Sequence, residues 1–223
     1  MPFTILITGF EPFGGSDINP SAEAVHCLKS MRITGAKITT AILPVVSGQA
    51  SRRLLSAVRR TKPDAVVCLG ESGKAACVTI ERLAANLCDY RIADNKGITV
   101  IDEPVVNDGP AAYFATLPVR AMSMAIRDIG IPAELSMSAG TFLCNEVMYS
   151  LLHETVTRGP LVPAGFIHLP PLPAQVVASG RERASMPIET TVMALRAALR
   201  ALVDSAQSTK PRTNAKRKRI RAV

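Results

Sequence analysis

Short apolar runs alternate with amphipathic segments along most of the chain. Residues 3–9 and 64–70 are apolar runs of the kind found in strands that are buried on both faces of a sheet. Residues 37–44 and 164–169 have a similar character. The segments between these runs carry apolar residues at helical spacing. This strand–helix alternation predicts βαβ units, and therefore an α/β fold with a mostly parallel or mixed sheet.

Helices are indicated by apolar residues at steps of three and four and by residues suited to helix ends. Asn19 is a good N-cap, and Pro20 suits the first position of the next helix. Ser47 marks the start of a second helix, and Gly130 marks the end of a third. The last predicted helix carries Ile188, Val192, Leu195, Leu199 and Leu202 on one face.

Three further stretches complete the pattern. Residues 76–86 alternate as a strand does, whereas residues 89–116 are rich in Asp, Asn, Gly and Pro and are predicted to be irregular. Residues 134–153 predict a strand, a turn and a helix, with Cys144 where the helix starts. The N-terminus of a helix favours the nucleophilic thiolate. Taken alone, however, this stretch fits a buried, unreactive thiol better.

Composition excludes several classes of protein. No apolar run approaches the roughly 20 residues of a membrane span, and the N-terminus lacks the basic segment of a signal peptide. The five cysteines are scattered, which favours reduced thiols in a cytoplasmic protein. Neither zinc-ligand spacing nor a glycine-rich nucleotide motif is present, so we expect no metal and no cofactor.

The net charge of +8 is concentrated at the C-terminal end. Seven of the 26 basic residues come after Asp204, where there is no acidic residue, so the rest of the chain is nearly neutral. We therefore expect a single domain over residues 1–205 and a basic, disordered tail over residues 206–223. Such a tail can bind phosphate backbones non-specifically, but a solvated extension is the simpler expectation.

Three histidines are available as a base for Cys144. His26 lies in the middle of a helix, and His153 shares the polar side of its helix with Glu146, where solvent exposure is expected. His168 ends an apolar strand, and ligands collect beyond the carboxyl ends of strands in open α/β sheets. A thiol needs such a base to act as a nucleophile. The alternative is a core histidine bonded to a backbone carbonyl.

Glu81 is a candidate for the group that orients this imidazole. It lies within an apolar, strand-like run, where a carboxylate is costly to bury unless it is paired. A salt bridge to Arg82 or Arg91 is the alternative, and sequence spacing does not decide between them.

Several motifs occur together and in order. They comprise residues 7–15 with 19–21, then 79–86, 89–95, 108–118, 138–145 and 165–170. With these motifs the sequence resembles the pyroglutamyl peptidase I family, also called pyrrolidone-carboxylate peptidases. The resemblance spans residues 3–202 and leaves the basic tail outside.

The resemblance implies a three-layer α/β/α sandwich around a mostly parallel, twisted sheet, commonly assembled as a homotetramer. It also implies a cysteine peptidase that removes N-terminal pyroglutamate from peptides through a thioacyl-enzyme. Cys144 would be the nucleophile, His168 the general base and then acid, and Glu81 the residue that orients His168.

The family's lactam pocket is matched by an apolar set with a few polar residues. A lactam is small and uncharged, so its pocket needs apolar walls and few polar partners. Asn19 would bond the lactam unless helix capping alone explains it, and Arg91 would support the oxyanion. The apolar wall comprises Phe10, Phe13, Ile92, Phe142 and Leu143.

Residues 71–75 depart from the family pattern, which often has a glutamine followed by a Gly-Gly-Arg-like loop. A carboxylate at Glu71 would favour the lactam N–H but oppose its carbonyl unless Lys74 neutralises it. We expect this departure to affect substrate affinity rather than the class of reaction.

Two other functions stay open. The same three residues would suit an amidase or amidotransferase that acts on an open-chain, glutamine-like amide. Residues 210–221 would suit a module that binds nucleic acid.

Overall fold

The computed structural model describes residues 2–159 and 162–208. In that part of the chain the strands are β1 (Phe3–Phe10), β2 (Ala36–Leu43), β3 (Ala65–Glu71), β4 (Val78–Glu81), β5 (Leu83–Ala85), β6 (Ala112–Phe114), β7 (Ala133–Ser136) and β8 (Ala164–Leu169). The helices are α1 (Pro20–Lys29), α2 (Gln49–Thr61), α3 (Val119–Asp128), α4 (Leu143–Thr157), α5 (Pro173–Ser179) and α6 (Ile188–Ser208).

Six strands form one mixed sheet in the order β2-β1-β3-β8-β4-β7. Neighbouring strands run parallel except β4 and β8, which are antiparallel. Strands β5 and β6 form a separate antiparallel pair. The prediction of a mostly parallel sheet is therefore confirmed.

The sheet separates two apolar cores. Helices α1, α3 and α6 cover one face, and α2 and α4 cover the other. Because strand side chains alternate, Phe166 of β8 packs on the α2/α4 side and Ile167 packs on the opposite side. The same alternation places His168 beside Phe166, on the face that carries α4.

A predicted helix start is confirmed only where the capping residue is adjacent to the helix in sequence. Asn19 caps α1 as predicted, since its side-chain oxygen accepts a hydrogen bond from Ser21 N at 2.9 Å. Helix α2 instead begins two residues after Ser47, behind Gly48. Gly48 N donates to the Glu146 carboxylate at 2.8 Å, so a distant residue on α4 supplies this cap.

Several elements differ from the sequence-based expectation. The strand-like run of residues 76–86 is divided at Arg82, whose backbone bonds to Ser136 and Ala115 instead of continuing one ladder. The irregular stretch contains β6, and α5 was not predicted. Helix α6 continues through Ser208, so residues 206–208 of the predicted tail are helical. Residues 209–223 lie outside the described residues.

The prediction that Glu146 and His153 lie on a solvent-exposed, polar side of α4 is also wrong in part. Glu146 is 5% exposed, and His153 is half-buried with its Nδ1 3.0 Å from the Tyr113 hydroxyl oxygen. No helix within residues 2–159 and 162–208 has the length and apolar character to cross a membrane.

Candidate active site

Strands β8 and β4 bring a histidine and a carboxylate together. Thr79 pairs with His168, and Glu81 pairs with Phe166, so alternation puts Glu81 on the same face as His168 and diagonal to it. His168 Nδ1 donates to Glu81 Oε1 at 2.8 Å, and both residues are buried. The predicted pairing of these two side chains is therefore present, in place of a salt bridge from Glu81 to Arg82 or Arg91.

Helix α4 places Cys144 against the same point of the sheet. Cys144 is the second residue of the helix, and its sulfur lies beside His168. Gly70 of β3 pairs with His168 and allows this approach, because a Cβ on Gly70 would lie 2.9 Å from Cys144 Sγ and 2.6 Å from Phe166 Cζ. The sulfur thus occupies the space that any other side chain would take.

The charges around His168 favour its protonated form. Burial alone would lower the pKa of His168, but the Cys144 sulfur and the Glu81 carboxylate beside it raise that pKa to about 10. The Cys144 sulfur and Glu81 therefore both favour the imidazolium form of His168. This arrangement suits a thiolate–imidazolium pair, which is a nucleophile with a proton donor at its side.

The three residues lie in a cleft of about 740 Å³. Five residues predicted for the lactam pocket also line this cleft: Phe13, Glu71, Arg91, Ile92 and Phe142. The rings of Phe13 and Phe142 lie 6.3 Å apart and form its apolar part. Cys144, His168 and Glu81 thus lie beside a small apolar wall.

The fold agrees with the comparisons to known proteins. The sequence model of the family described as pyroglutamyl peptidase matches residues 3–205. The chain belongs to the pyroglutamyl peptidase family.

Curated relatives in this family match nearly the whole chain. A pyrrolidone-carboxylate peptidase of Vibrio vulnificus (strain CMCP6) is 45% identical over 206 residues, which cover 92% of this chain and 95% of the relative. One from Escherichia fergusonii is 48% identical over 175 residues, which cover 78% of this chain and 81% of the relative.

Solved structures of family members have the same fold. The pyrrolidone carboxyl peptidase from Thermococcus litoralis is 40% identical with a TM-score of 0.88, and the match covers 93% of this chain and 96% of that one. Pyroglutamyl peptidase I from Bacillus amyloliquefaciens is 36% identical with a TM-score of 0.88, covering 91% and 96%. The α/β sandwich expected from the family resemblance is confirmed.

The structure does not bring three of the predicted pocket residues to the cleft wall. Phe10 is 3% exposed and packs behind the site, with its ring 6.4 Å from that of Phe166. Leu143 is buried in the core between α4 and the sheet. The side chain of Asn19 caps α1 and donates to Glu11 O at 3.0 Å, so helix capping accounts for this residue.

Glu71, where the chain departs from the family pattern, has partners other than the one expected. Burial raises the pKa of Glu71, while a hydrogen bond from Gln175 and the charge of Arg183 lower it. Gln175 Nε2 donates to Glu71 Oε2 at 3.0 Å. Gln175 and Arg183, rather than Lys74, therefore favour the charged form of this carboxyl.

Sequence reasoning missed two of the residues that shape the cleft. Gly70 could have been noticed, because glycine near a strand end marks close approach of another group. Gln175 lies on a helix too short for a periodic signal, and its partners are distant in sequence. Among the described residues, no group of three or more His, Cys, Asp or Glu side chains is placed to hold a metal ion.

Proposed function

We propose that the chain is a cysteine exopeptidase, an omega peptidase that hydrolytically removes N-terminal pyroglutamate from peptides. The meeting of Cys144 with the buried His168–Glu81 pair in one cleft is the observation that carries this proposal. Membership in the pyroglutamyl peptidase family supports the same reaction class and substrate.

Acylation begins with Cys144 as a thiolate whose proton resides on His168. The sulfur attacks the carbonyl that links pyroglutamate to the next residue and forms a C–S bond. When the tetrahedral intermediate collapses, the C–N bond breaks and His168 Nε2–H protonates the leaving amine. The product of this step is a pyroglutamyl thioester on Cys144.

Deacylation reverses the direction of proton transfer. Neutral His168 takes a proton from water, the water oxygen adds to the thioester carbonyl, and the C–S bond breaks to restore the thiolate–imidazolium pair. Glu81 Oε1 accepts a hydrogen bond from His168 Nδ1–H at 2.8 Å throughout, which leaves Nε2 for the sulfur and the substrate.

The N-terminus of α4 supplies the electrostatic stabilisation for the oxyanion. Its N-cap residue, Phe142, makes no side-chain capping bond, so the first-turn N–H groups beside Cys144 are not used by a capping side chain. Donors aimed at a developing oxyanion are worth about 3–4 kcal/mol in comparable acyl-transfer sites. Arg91 lines the same cleft as a second source of positive charge.

The uncharged lactam ring fits the apolar part of the cleft. Phe13, Ile92 and Phe142 supply the wall, which offers little to a free α-amino group or a charged side chain. Glu71 is an acceptor for the lactam N–H. These features favour a cyclised N-terminus over an open-chain glutamine amide, which would bring a charged ammonium group into the apolar part of the cleft.

The homotetramer that the family resemblance implies remains a prediction for this chain. Three expectations drawn from composition also remain predictions: the cytoplasmic location, the single domain over residues 1–205 and the solvated tail over residues 206–223, of which residues 206–208 are helical. Binding of nucleic acid by that tail is the less favoured alternative.

The substrate class is tested with matched fluorogenic amides of pyroglutamate, glutamine and proline. The pyroglutamyl amide differs from the prolyl amide in its ring carbonyl and from the glutaminyl amide in ring closure. We expect hydrolysis of the pyroglutamyl amide with kcat/KM at least about 100-fold above the other two, as polar groups in a site reject substrates that leave them unpaired. Preference for the glutaminyl amide would instead establish an open-chain amidase.

A further inference from the structure

Glu146 is a buried carboxylate that the reaction does not use. It lies on α4 two residues after Cys144 and is 5% exposed. No basic side chain of the described residues forms a salt bridge with it. Its oxygens accept hydrogen bonds from Gly48 N (2.8 Å), Ser51 Oγ (3.0 Å), Ser47 Oγ (3.3 Å) and the Tyr90 hydroxyl.

Tyr90 connects this carboxylate to the wall of the cleft. Its ring packs edge-on against Phe142 at a centroid distance of 4.7 Å. Along the chain, Tyr90 directly precedes Arg91 and Ile92, which line the cleft. The buried Tyr90 ring therefore contacts Phe142 of the lactam wall, and the two residues that follow Tyr90 in sequence line the same cleft.

The segment that carries Arg91 and Ile92 belongs to no helix or strand. Its position depends on bonds to other parts of the fold, and Asp94 makes one of them by accepting from Ser47 N at 2.9 Å. Ser47 Oγ also donates a hydrogen bond to Glu146. The hydrogen bonds that Asp94 and Tyr90 make therefore both lead to the start of α2. The Tyr90 hydroxyl joins the segment to Glu146 of α4 and to Ser47 Oγ at 3.2 Å. Asp89, on the other side of Tyr90 from Arg91, is bonded to Thr141 just before α4.

We propose that Tyr90 and Glu146 are positioning residues that set the width of the lactam pocket relative to the Cys144 helix. The inference rests on the proposed function, since it assigns these residues to binding of the pyroglutamyl ring. Neither residue lines the cleft, and both act through the Phe142 ring and the Arg91–Ile92 segment.

The geometry separates this role from that of the catalytic groups. The sulfur of Cys144 has surroundings of its own, since it fills the space above Gly70 and lies beside His168. Loss of the Tyr90–Glu146 bond should therefore loosen the pocket wall and leave the sulfur and imidazole in place. We therefore expect loss of this bond to weaken binding of the lactam and to leave the rates of the chemical steps unchanged.

The test is Tyr90→Phe, which keeps the ring against Phe142 and removes only the hydroxyl. We expect KM for the pyroglutamyl amide to rise about tenfold, the size expected for a lost hydrogen bond to a charged group, with kcat within about twofold. The inhibition constant of 2-pyrrolidinone, which contains only the lactam ring, should rise by the same factor. The rate at which iodoacetamide alkylates Cys144 should not change.

Tyr149→Phe is the matched control. Tyr149 is a fully buried tyrosine on α4 that donates to Pro110 O at 2.6 Å, away from the cleft. We expect Tyr149→Phe to lower the melting temperature about as much as Tyr90→Phe does, without changing KM or the inhibition constant of 2-pyrrolidinone. Glu146→Gln removes the shared acceptor charge and should raise KM at least as much as Tyr90→Phe.

The possible results separate the two proposals. An active Tyr90→Phe enzyme with an unchanged inhibition constant for 2-pyrrolidinone would overturn the positioning role alone. An equal rise in Tyr149→Phe would also overturn it, by showing a general effect of stability. If the wild type does not hydrolyse the pyroglutamyl amide, the proposed function fails and this inference fails with it.

Discussion

Cys144 differs from the other buried cysteines in what surrounds its sulfur. Burial raises the pKa of Cys68 and of Cys88 to about 12, so both remain thiols at neutral pH. The sulfur of Cys144 instead contacts His168, whose pKa is raised to about 10 by that sulfur and by Glu81 against the opposing effect of burial. Position beside a charged base, rather than residue type, makes this cysteine the nucleophile of the proposed reaction.

Gly70→Ala tests the space that the sulfur occupies. The new Cβ would lie 2.9 Å from Cys144 Sγ and 2.6 Å from Phe166 Cζ, so both the sulfur and the ring must shift from their places beside His168. We expect kcat to fall about 100-fold, the cost of a small misplacement of reacting groups. Gly165→Ala is the control, because its Cβ would meet Leu117 and Ala115 in the core. Equal loss of kcat in both variants would contradict the account.

Glu81→Gln tests the charge that holds the proton on His168. The carboxylate raises the pKa of His168, so its removal should lower that pKa, and the imidazolium should be lost at a lower pH. We expect the alkaline limb of the kcat profile to move to lower pH, with kcat reduced about 100-fold. An alkaline limb that stays in place would show that Glu81 does not set this proton.

At the scale of elements, the site is made by one helix end and three strands. Helix α4 brings the sulfur, β8 the imidazole, β4 the carboxylate and β3 the glycine that leaves room for them. Short helix α5 adds Gln175, which donates to Glu71 at the edge of the cleft. The departure from the family pattern at Glu71 is therefore accommodated by α5.

Glu71→Gln tests that departure. Since burial raises the pKa of Glu71 and the lactam is uncharged, a neutral amide should suit the ring better, and we expect KM to fall about two- to fivefold. The difference in KM between Glu71→Gln and the wild type should narrow as the pH falls through the pKa of Glu71, because the wild-type carboxyl then becomes neutral as well. A KM difference that is independent of pH would contradict this assignment.

How much of the fold was predictable depended on where the determining contacts lie. Strands β1, β3 and β8 are mostly apolar and almost wholly buried, so the sequence alone indicates them. The burial of Glu146 was not predictable, because its donors come from α2 and from Tyr90, far away in sequence. The division between β4 and β5 likewise depends on backbone bonds to two distant segments.

The candidate site was predictable to a similar extent. Cys144, His168 and Glu81 were candidates because each is an unusual residue for its local pattern. Their convergence could not be read from spacing, because it depends on β4 pairing antiparallel with β8. The family motifs supplied that information before the structure did. Phe10, Asn19 and Leu143 lie in or beside those motifs but contact the core and a helix cap rather than the cleft.

At the scale of the whole molecule, the reaction needs both helical layers to be held on one sheet. The layer with α2 and α4 carries the sulfur and the pocket, while the opposite core with α1, α3 and α6 supports the strands from behind. The family match ends at residue 205, close to the end of α6 at Ser208. Activity should therefore depend on the sandwich and not on residues 209–223.

Removal of residues 209–223 tests that independence. We expect kcat/KM and the melting temperature to be unchanged, because the family match ends at residue 205, before this segment begins. Weak, salt-sensitive retention on a nucleic-acid column should decrease, since seven basic residues are removed. Loss of hydrolysis on truncation would show that the segment contributes to the site.

The most direct test of the account is hydrolysis of a pyroglutamyl amide by Cys144→Ala beside Cys77→Ala. Both residues are half-buried cysteines, but only Cys144 lines the cleft and contacts His168. The account predicts full activity in Cys77→Ala and, because the nucleophile is absent, a loss of at least about 10⁴-fold in Cys144→Ala. Activity that survives in Cys144→Ala would contradict the assignment of the nucleophile.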